Sequence, residues 1–154
     1  MIAVATGGDA DEEACALAEA VGRELAARGA VLLCGGLGGG MEAACRGAKE
    51  AGGTTVGILP TDRRADANPY VDVALPTGLG EARNALVVRA ADAVIAVAGE
   101  FGTLSEIALA LRTDTPVVGL RTWELSRDGS PVDAFPRVDT AADAVEIALA
   151  IRKR

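Results

Sequence analysis

Three short stretches of the sequence combine glycines with polar groups that could bind a ligand. They are TGGD at 6–9, CGGLGGGM at 34–41 and AGEFGT at 98–103, and each follows or ends an apolar run. Glycine lets the backbone approach a ligand, and a helix that starts beyond the turn offers free N–H groups and the positive end of its dipole. Together the turns predict a site for a phosphate-bearing ligand, although short strand-to-helix connections also need glycine for their own geometry.

One arginine and two glutamates are the candidate reactive groups. Glu106 could stabilise an oxocarbenium-like transition state or activate water, as carboxylates do in glycoside hydrolysis, and Arg83 could clamp a phosphate or polarise a ribose. Each has a structural alternative, because Thr103 and Glu106 fit a helix capping box and Arg83 fits a surface position. Glu100 would repel a nearby phosphate by about 1 kcal/mol at ~4 Å in water, so we expect it to face ribose hydroxyls, a base amine or solvent.

Three further side chains carry weaker signals. Asp9 and Asn68 lie near predicted strand ends and are typical turn or cap residues. Trp123 fits both stacking on an adenine and a protein interface, and the sequence leaves its role open.

The composition excludes several kinds of chemistry. The 154 residues include no histidine, which excludes Ser-His-Asp and Cys-His catalysis and the common His-based metal sites. Cys15, Cys34 and Cys45 form no CxxC pair and lie in apolar segments, which predicts reduced core thiols in a cytoplasmic protein. A net charge of −7 argues against a general nucleic-acid binder. Neither a signal peptide nor a membrane span is predicted.

Short apolar runs alternate with helical patterns along the whole chain. Because parallel strands joined by helices need right-handed crossovers, this alternation predicts one doubly wound α/β domain over residues 1–154, with a parallel sheet covered on both faces. Aromatic residues make up only 3% of the chain, so its core must consist of Ala, Val, Leu and Ile. Strands are predicted at 2–6, 30–34, 54–60, 71–76, 92–99 and 116–120, helices at 11–28, 41–52, 80–91, 102–114 and about 140–152, and irregular structure at 121–137.

Two common nucleotide-binding motifs are absent. Gly36 and Gly38 have the spacing of the dinucleotide fingerprint GxGxxG, but Met41 stands where its third glycine belongs. The Walker pattern GxxxxGK[ST] does not occur. The sequence therefore supports neither a standard NAD site nor an ATPase.

The segments GGLGGGM, GAKEAGGTTVGILP and GEARNALVVRAADAVIAVAGEFGTLSE resemble the LOG ("lonely guy") family of Rossmann-like proteins, from the first strand to about Leu120. The nearest branch resembles molybdenum cofactor carrier proteins and DprA-like domains. The family often carries the label lysine decarboxylase, which nothing in this sequence supports. LOG enzymes cleave the N-glycosidic bond of cytokinin nucleoside 5′-monophosphates, releasing the base and ribose 5-phosphate.

The resemblance assigns roles to particular residues. Arg83 and Glu106 match the catalytic pair, and the hallmark PGGxGTxxE departs at two positions, where Ala98 replaces proline and Glu100 replaces glycine. Asn84 stands where LOG enzymes typically have lysine. These departures bear on hydrolysis more than on binding. The predicted ligand-binding residues are Gly7, Gly8, Gly35, Gly36, Gly39, Met41, Gly99, Glu100, Phe101, Gly102 and Thr103.

Three functions follow from the resemblance. The first is a nucleotide-binding protein that hydrolyses a nucleoside 5′-monophosphate. The second is a non-catalytic carrier of a nucleotide-like or phosphorylated pterin ligand, and the third is a ligand sensor. In each case we expect the partner to be a small molecule, and we expect binding to neither nucleic acid nor a membrane. No cofactor or metal is expected to be required, and Mg²⁺ is disfavoured. The expected assembly is a homo-dimer or homo-tetramer.

Overall fold

A computed structural model describes residues 1–152 of the chain. The elements alternate as the sequence predicts, with strands separated by helices. Strands are β1 (Ile2–Ala5), β2 (Leu32–Cys34), β3 (Thr55–Leu59), β4 (Val73–Pro76), β5 (Ala93–Val97), β6 (Val117–Leu120), β7 (Leu125–Arg127), β8 (Ser130–Val132) and β9 (Arg137–Val138). Helices are α1 (Glu12–Ala27), α2 (Gly40–Glu50), α3 (Asn84–Ala90), α4 (Phe101–Arg112) and α5 (Ala141–Ile151), with 3₁₀ turns at Arg64–Asp66 and Gly80–Arg83.

Seven of the strands form one parallel sheet. Its order is β4-β3-β2-β1-β5-β6-β9, so the chain runs outward from β1 in one direction and then crosses back to β5 on the other side. The strand order reverses between β1 and β5, and this reversal opens a crevice at the carboxyl ends of those strands. The predicted doubly wound α/β fold is confirmed.

Two apolar layers cover the two faces of the sheet. Because side chains alternate along a strand, Ile2 and Val4 of β1 pack with α1, α2 and α5, while Ala3 and Ala5 pack with α3 and α4. Apart from Phe135, the buried core contains no aromatic side chain among the described residues. The predicted aliphatic core is therefore confirmed.

Helices α1 and α2 approach each other more closely than side chains would allow. A methyl group added to Gly22 would lie 2.0 Å from the carbonyl oxygen of Ala44, and one added to Gly47 would lie 2.0 Å from that of Glu19. These two glycines set the position of α2, and α2 begins directly after the turn at 34–39.

The main difference from the predicted elements lies in residues 121–137. This segment is not irregular: β7 and β8 form an antiparallel hairpin, and β9 adds a short edge strand beside β6. Asp128 and Gly129 join the hairpin with φ of 50° and 77°, the two positive values that a type I′ turn needs. The predicted helix at 80–91 is likewise divided into a 3₁₀ turn and α3.

Smaller features agree with the sequence. Thr140 caps α5 by accepting a hydrogen bond from the amide of Asp143 at 3.1 Å, as its TAAD start predicts. All three cysteines are free, and Cys34 and Cys45 are buried. Within residues 1–152, no helix is both long and apolar enough to cross a membrane.

Candidate functional site

A pocket of about 150 Å³ lies in the crevice between the ends of β1 and β5. We call it the arginine pocket, because the buried guanidinium of Arg83 forms part of its wall. Val4, Thr6 and Asn84 also line it. Nine of the thirteen predicted site residues meet there, from three separate turns and two helices: Gly7, Gly8, Gly35, Met41, Arg83, Glu100, Gly102, Thr103 and Glu106.

Arg83 is buried at the last position of the 3₁₀ turn, with 8% of its surface exposed. Its Nη1 donates to Asn84 Oδ1 at 2.8 Å, and Asn84 Nδ2 donates to Ser105 Oγ of α4 at 3.1 Å. Its guanidinium also lies against Gly35, where an added methyl group would be 2.4 Å from Nη2. The surface alternative for Arg83 is therefore wrong, since the side chain is packed and oriented toward the pocket.

Glu106 lies on α4 and is 6% exposed. Its Oε1 is 3.7 Å from Nη1 of Arg83, which is an ion-pair distance but too long for a good hydrogen bond. The capping-box alternative is wrong: α4 begins at Phe101 with Glu100 as its N-cap residue, so Thr103 and Glu106 lie inside the helix. Glu106 is left facing Arg83 rather than the helix terminus.

Three buried polar atoms around this pocket have no hydrogen-bond partner within residues 1–152. They are Thr6 Oγ1, Arg83 Nε and Thr103 Oγ1. Each can donate a hydrogen bond, and leaving such a group unpaired costs about 1–3 kcal/mol. Fewer than one buried polar group in ten is left in this state in native proteins. The three residues line the same pocket, but Thr6 Oγ1 lies against Gly40 and Thr103 Oγ1 against Gly99 rather than in the open space.

The start of α4 adds further donors to the same side of the pocket. The side chain of its N-cap residue, Glu100, makes no capping hydrogen bond. The first N–H groups of a helix have no intrahelical partner, and the helix dipole places partial positive charge there. Gly102 and Thr103, in this first turn, line the pocket.

The four remaining predicted residues lie outside the arginine pocket. Gly36 and Gly39 have φ of 76° and 63° and shape the turn before α2; a methyl group on Gly39 would lie 2.0 Å from the carbonyl oxygen of Gly8. Gly99 lines a neighbouring cavity. Phe101 is 78% exposed and packs its ring against Trp123, with ring centroids 5.7 Å apart.

The neighbouring cavity measures about 460 Å³ and lies beside Glu100, at the ends of β5 and β6. We call it the tryptophan cavity. It is lined by the turn at 98–100, by Arg121, Thr122 and Trp123, and by the start of α1. Gly7 and Glu100 line both cavities, so the two are adjacent.

Ala98 explains one departure from the LOG hallmark. Its φ is 44°, a left-handed conformation that costs an L-residue roughly 1–2 kcal/mol. Proline, with φ fixed near −65°, could not adopt it. The turn after β5 is therefore built in a way that the hallmark proline does not permit.

Asn68 has the structural role expected of a turn residue. Its Nδ2 donates to the carbonyl oxygen of Leu37 at 2.9 Å, and its own amide donates to that of Gly36 at 2.9 Å. These bonds hold the turn at 34–39 in place. Asp9 is exposed in the turn after β1 and does not line the arginine pocket.

Sequence reasoning missed three residues of this site. In the sequence, Thr6 is only part of the first glycine turn, Asn84 is only a departure from lysine, and Ser105, which holds Asn84, gives no signal of its own. Each has an unremarkable sequence signal, because a threonine at a strand end or a serine in a helix has no distinctive spacing. Their contribution comes from contacts between elements distant in sequence.

Burial raises the pKa of Glu106 from its ordinary value of 4.5 to about 7, although the nearby positive charge of Arg83 opposes this shift. At neutral pH a large share of the molecules therefore hold Glu106 as a neutral carboxylic acid. In that form it repels an anion less and can donate a hydrogen bond.

This shift predicts a pH-dependent stability. Between pH 4.5 and pH 7 the folded chain keeps the Glu106 proton while the unfolded chain loses it, so the free energy of unfolding falls as pH rises through this range. By pH 8 we expect the wild-type protein to have lost roughly 3 kcal/mol of its free energy of unfolding relative to Glu106→Gln, whose side chain cannot ionise. Urea unfolding of both proteins at pH 5 and pH 8 measures this. An equal difference between them at the two pH values would contradict the shift.

Comparison with known proteins places this geometry in a family. The model of the SLOG cluster4 family matches residues 1–150. The chain belongs to that family. An uncharacterized protein of Archaeoglobus fulgidus is 46% identical over 121 residues, which cover 78% of this chain and 79% of that protein.

Solved structures with the same fold support the relation to cofactor-carrier proteins. The molybdenum cofactor binding protein of Rippkaea orientalis superposes with a TM-score of 0.86 at 34% identity, covering 97% of this chain and 94% of that one. The molybdenum cofactor carrier protein of Chlamydomonas reinhardtii gives 0.83 and 32%, covering 97% and 96%. The predicted LOG-like, cofactor-carrier-like relation is confirmed.

A more distant structure shares the fold alone. DNA processing protein A of Helicobacter pylori, described for its single-stranded DNA binding mode, superposes with a TM-score of 0.70 at 18% identity, covering 99% of this chain and 81% of that one. The expectation that the present chain binds no nucleic acid stays a prediction.

Within residues 1–152, no group of three or more His, Cys, Asp or Glu residues is placed to hold a metal ion.

Proposed function

We propose that this SLOG cluster4 protein binds a phosphorylated, nucleotide-like small molecule, with the phosphate in the arginine pocket. The observation that carries the proposal is the set of three unpartnered buried donors, Thr6 Oγ1, Arg83 Nε and Thr103 Oγ1. A phosphate offers acceptor oxygens in several directions, so rotation of these side chains toward the pocket would let it accept from them. Guanidinium groups and helix N-termini are the usual partners of phosphates in proteins.

The near-neutral pKa of Glu106 is compatible with an anion in the same pocket. A permanently ionised carboxylate 3.7 Å from Arg83 would compete with the phosphate for the guanidinium. A protonated Glu106 instead leaves the positive charge of Arg83 available and adds a donor. Glu100 lines both the arginine pocket and the neighbouring cavity, so it would face the part of the ligand beyond the phosphate.

The role that fits best is that of a carrier or binding protein. The two relatives at more than 30% identity over nearly their whole length are named for binding or carrying the molybdenum cofactor. That cofactor is a phosphorylated pterin, the ligand class we expected for a carrier. The departures at Ala98 and Glu100 alter the turn that the hydrolase hallmark requires.

Hydrolysis of a nucleoside 5′-monophosphate is the second candidate, and the specific observation in its favour is Glu106. A buried carboxyl with a pKa of about 7 is suited to act as a general acid at neutral pH. It would protonate the leaving base as the C1′–N bond breaks and a water molecule adds to C1′, while Arg83 holds the sugar phosphate.

A panel of AMP, GMP, CMP and cytokinin monophosphates separates the two roles. The purified protein is incubated with each nucleotide, binding is measured by calorimetry, and free base is followed by chromatography. We expect binding without release of base. Release that disappears in both Arg83→Ala and Glu106→Ala would establish the hydrolase instead, and absence of binding to every monophosphate of the panel would overturn the proposal.

A further inference from the structure

The arginine pocket is too small for a whole nucleotide. Its volume is about 150 Å³, whereas sites for ligands of drug size measure roughly 300–1,000 Å³. A phosphorylated ligand held there must therefore extend outward. The adjacent tryptophan cavity, at about 460 Å³, offers that volume without an intervening element.

Glu100 lies where the two cavities meet. It lines both of them, and its Cγ is 3.7 Å from the position that a methyl group on Gly7 would occupy. Because Gly7 has no side chain, the Glu100 carboxylate can lie over the backbone of the first turn. A ligand that passes from one cavity to the other would run beside this carboxylate, as the hydroxyl groups of a sugar could.

Trp123 gives the second cavity a flat aromatic wall. Its Nε1 donates to the carbonyl oxygen of Glu100 at 3.2 Å, and the ring of Phe101 packs against it at a tilt of 37°. These two contacts fix the indole at the start of α4. The chain has only one tryptophan, one tyrosine and two phenylalanines, so one aromatic lining this cavity and a second packed against it is unusual for its composition.

The polar groups of the cavity favour an uncharged ring that carries N–H donors. Asp11 and Glu100 contribute carboxylates, and Arg121, the one cation among the described residues that line the cavity, is already paired with Glu13. Asp11 Oδ1 accepts from the amide of Ala14 at 2.8 Å, which leaves its other oxygen available. A phosphate would be repelled here, whereas amino and ring N–H groups would find acceptors.

We propose that the tryptophan cavity binds the flat ring of the ligand, a two-ring nitrogen heterocycle bearing an amino group, by stacking it near Trp123. The inference rests on the proposed function, because it assumes that the phosphate occupies the arginine pocket. Replacing an aromatic side chain that stacks on a base by alanine typically lowers the affinity for the ligand by about tenfold or more. Trp123 thus determines which phosphorylated ligands the site accepts.

The test compares GMP with ribose 5-phosphate, which carries the same phosphate and sugar without the ring. Because Trp123 is the only tryptophan, its fluorescence reports on the cavity directly when excited at wavelengths that guanine does not absorb. We expect GMP to bind at least about tenfold more tightly and to quench the fluorescence. Ribose 5-phosphate is expected to bind without quenching.

Variants complete the test by calorimetry. Trp123→Ala is expected to lose the GMP preference while ribose 5-phosphate binding is unchanged, which also shows that the variant is folded. Trp123→Phe keeps a stacking surface and is expected to retain most of the preference. If GMP and ribose 5-phosphate bind the wild-type protein with equal affinity, and both lose affinity in Arg83→Ala, this inference is overturned and the proposed function stays intact. Failure of both ligands to bind would overturn both.

Discussion

Replacing Arg83 with alanine is expected to weaken the binding of GMP by about 100-fold, because the variant loses charge-assisted hydrogen bonds in a buried site. Arg83 is 8% exposed, and its Nε has no hydrogen-bond partner among the described residues. Among residues 1–152, Arg83 alone of the arginines and lysines lines the pocket, so no described cation there can substitute for its charge. Isothermal titration calorimetry of wild type and variant at pH 7 measures the change.

Arg89 provides the matched control for this substitution. It lies on the adjacent helix α3, is exposed, and does not line the arginine pocket. Arg89→Ala removes the same charge from the molecule and is expected to leave GMP affinity within about twofold of wild type, since exposed charges have weak effects. An equal loss in both variants would show that Arg83 acts only through net charge.

Replacing Gly35 with alanine is expected to reduce GMP affinity by about 10- to 100-fold while the protein stays folded, because misplacing a charged donor forfeits most of its interaction. The added methyl group would lie 2.4 Å from Nη2 and 2.7 Å from Cζ of Arg83. One of the two must move, and the end of the arginine side chain is the easier to displace. The affinity and the midpoint of thermal unfolding are measured together.

Gly38→Ala is the control within the same turn. Among the described residues, the nearest atom to its added methyl group would be Glu42 Oε2 at 3.9 Å, and its φ is not positive. It changes the chain entropy as Gly35→Ala does without contacting Arg83. Unchanged GMP binding in Gly35→Ala, with weakened binding in Gly38→Ala, would contradict the role given to the guanidinium.

The sequence predicted the fold well because strand and helix periodicity is local. Six strands and five helices lie close to their predicted positions, and the aliphatic composition predicted the core. The hairpin at 125–132 was missed, although the Asp128-Gly129 pair is a hairpin-turn signal. Its strands are three residues long and largely exposed, so they carry no apolar alternation that would reveal them.

The site could be predicted in position but not in detail. Glycine-rich turns at strand ends located the pocket, since parallel strands bring their carboxyl ends to one edge. The burial of Arg83 and Glu106 could not be predicted, because it depends on contacts with Gly35, Asn84 and Ser105 from other elements. The capping-box pattern was misleading because α4 begins two residues before Thr103.

The most direct test of the anion site is a calorimetric comparison of GMP with guanosine. The two ligands differ only in the phosphate, so their difference in affinity isolates the arginine pocket. Because the buried guanidinium of Arg83 lines that pocket, we expect GMP to bind at least about 100-fold more tightly, and the difference to disappear in Arg83→Ala. Equal affinity for GMP and guanosine in the wild-type protein would contradict the assignment.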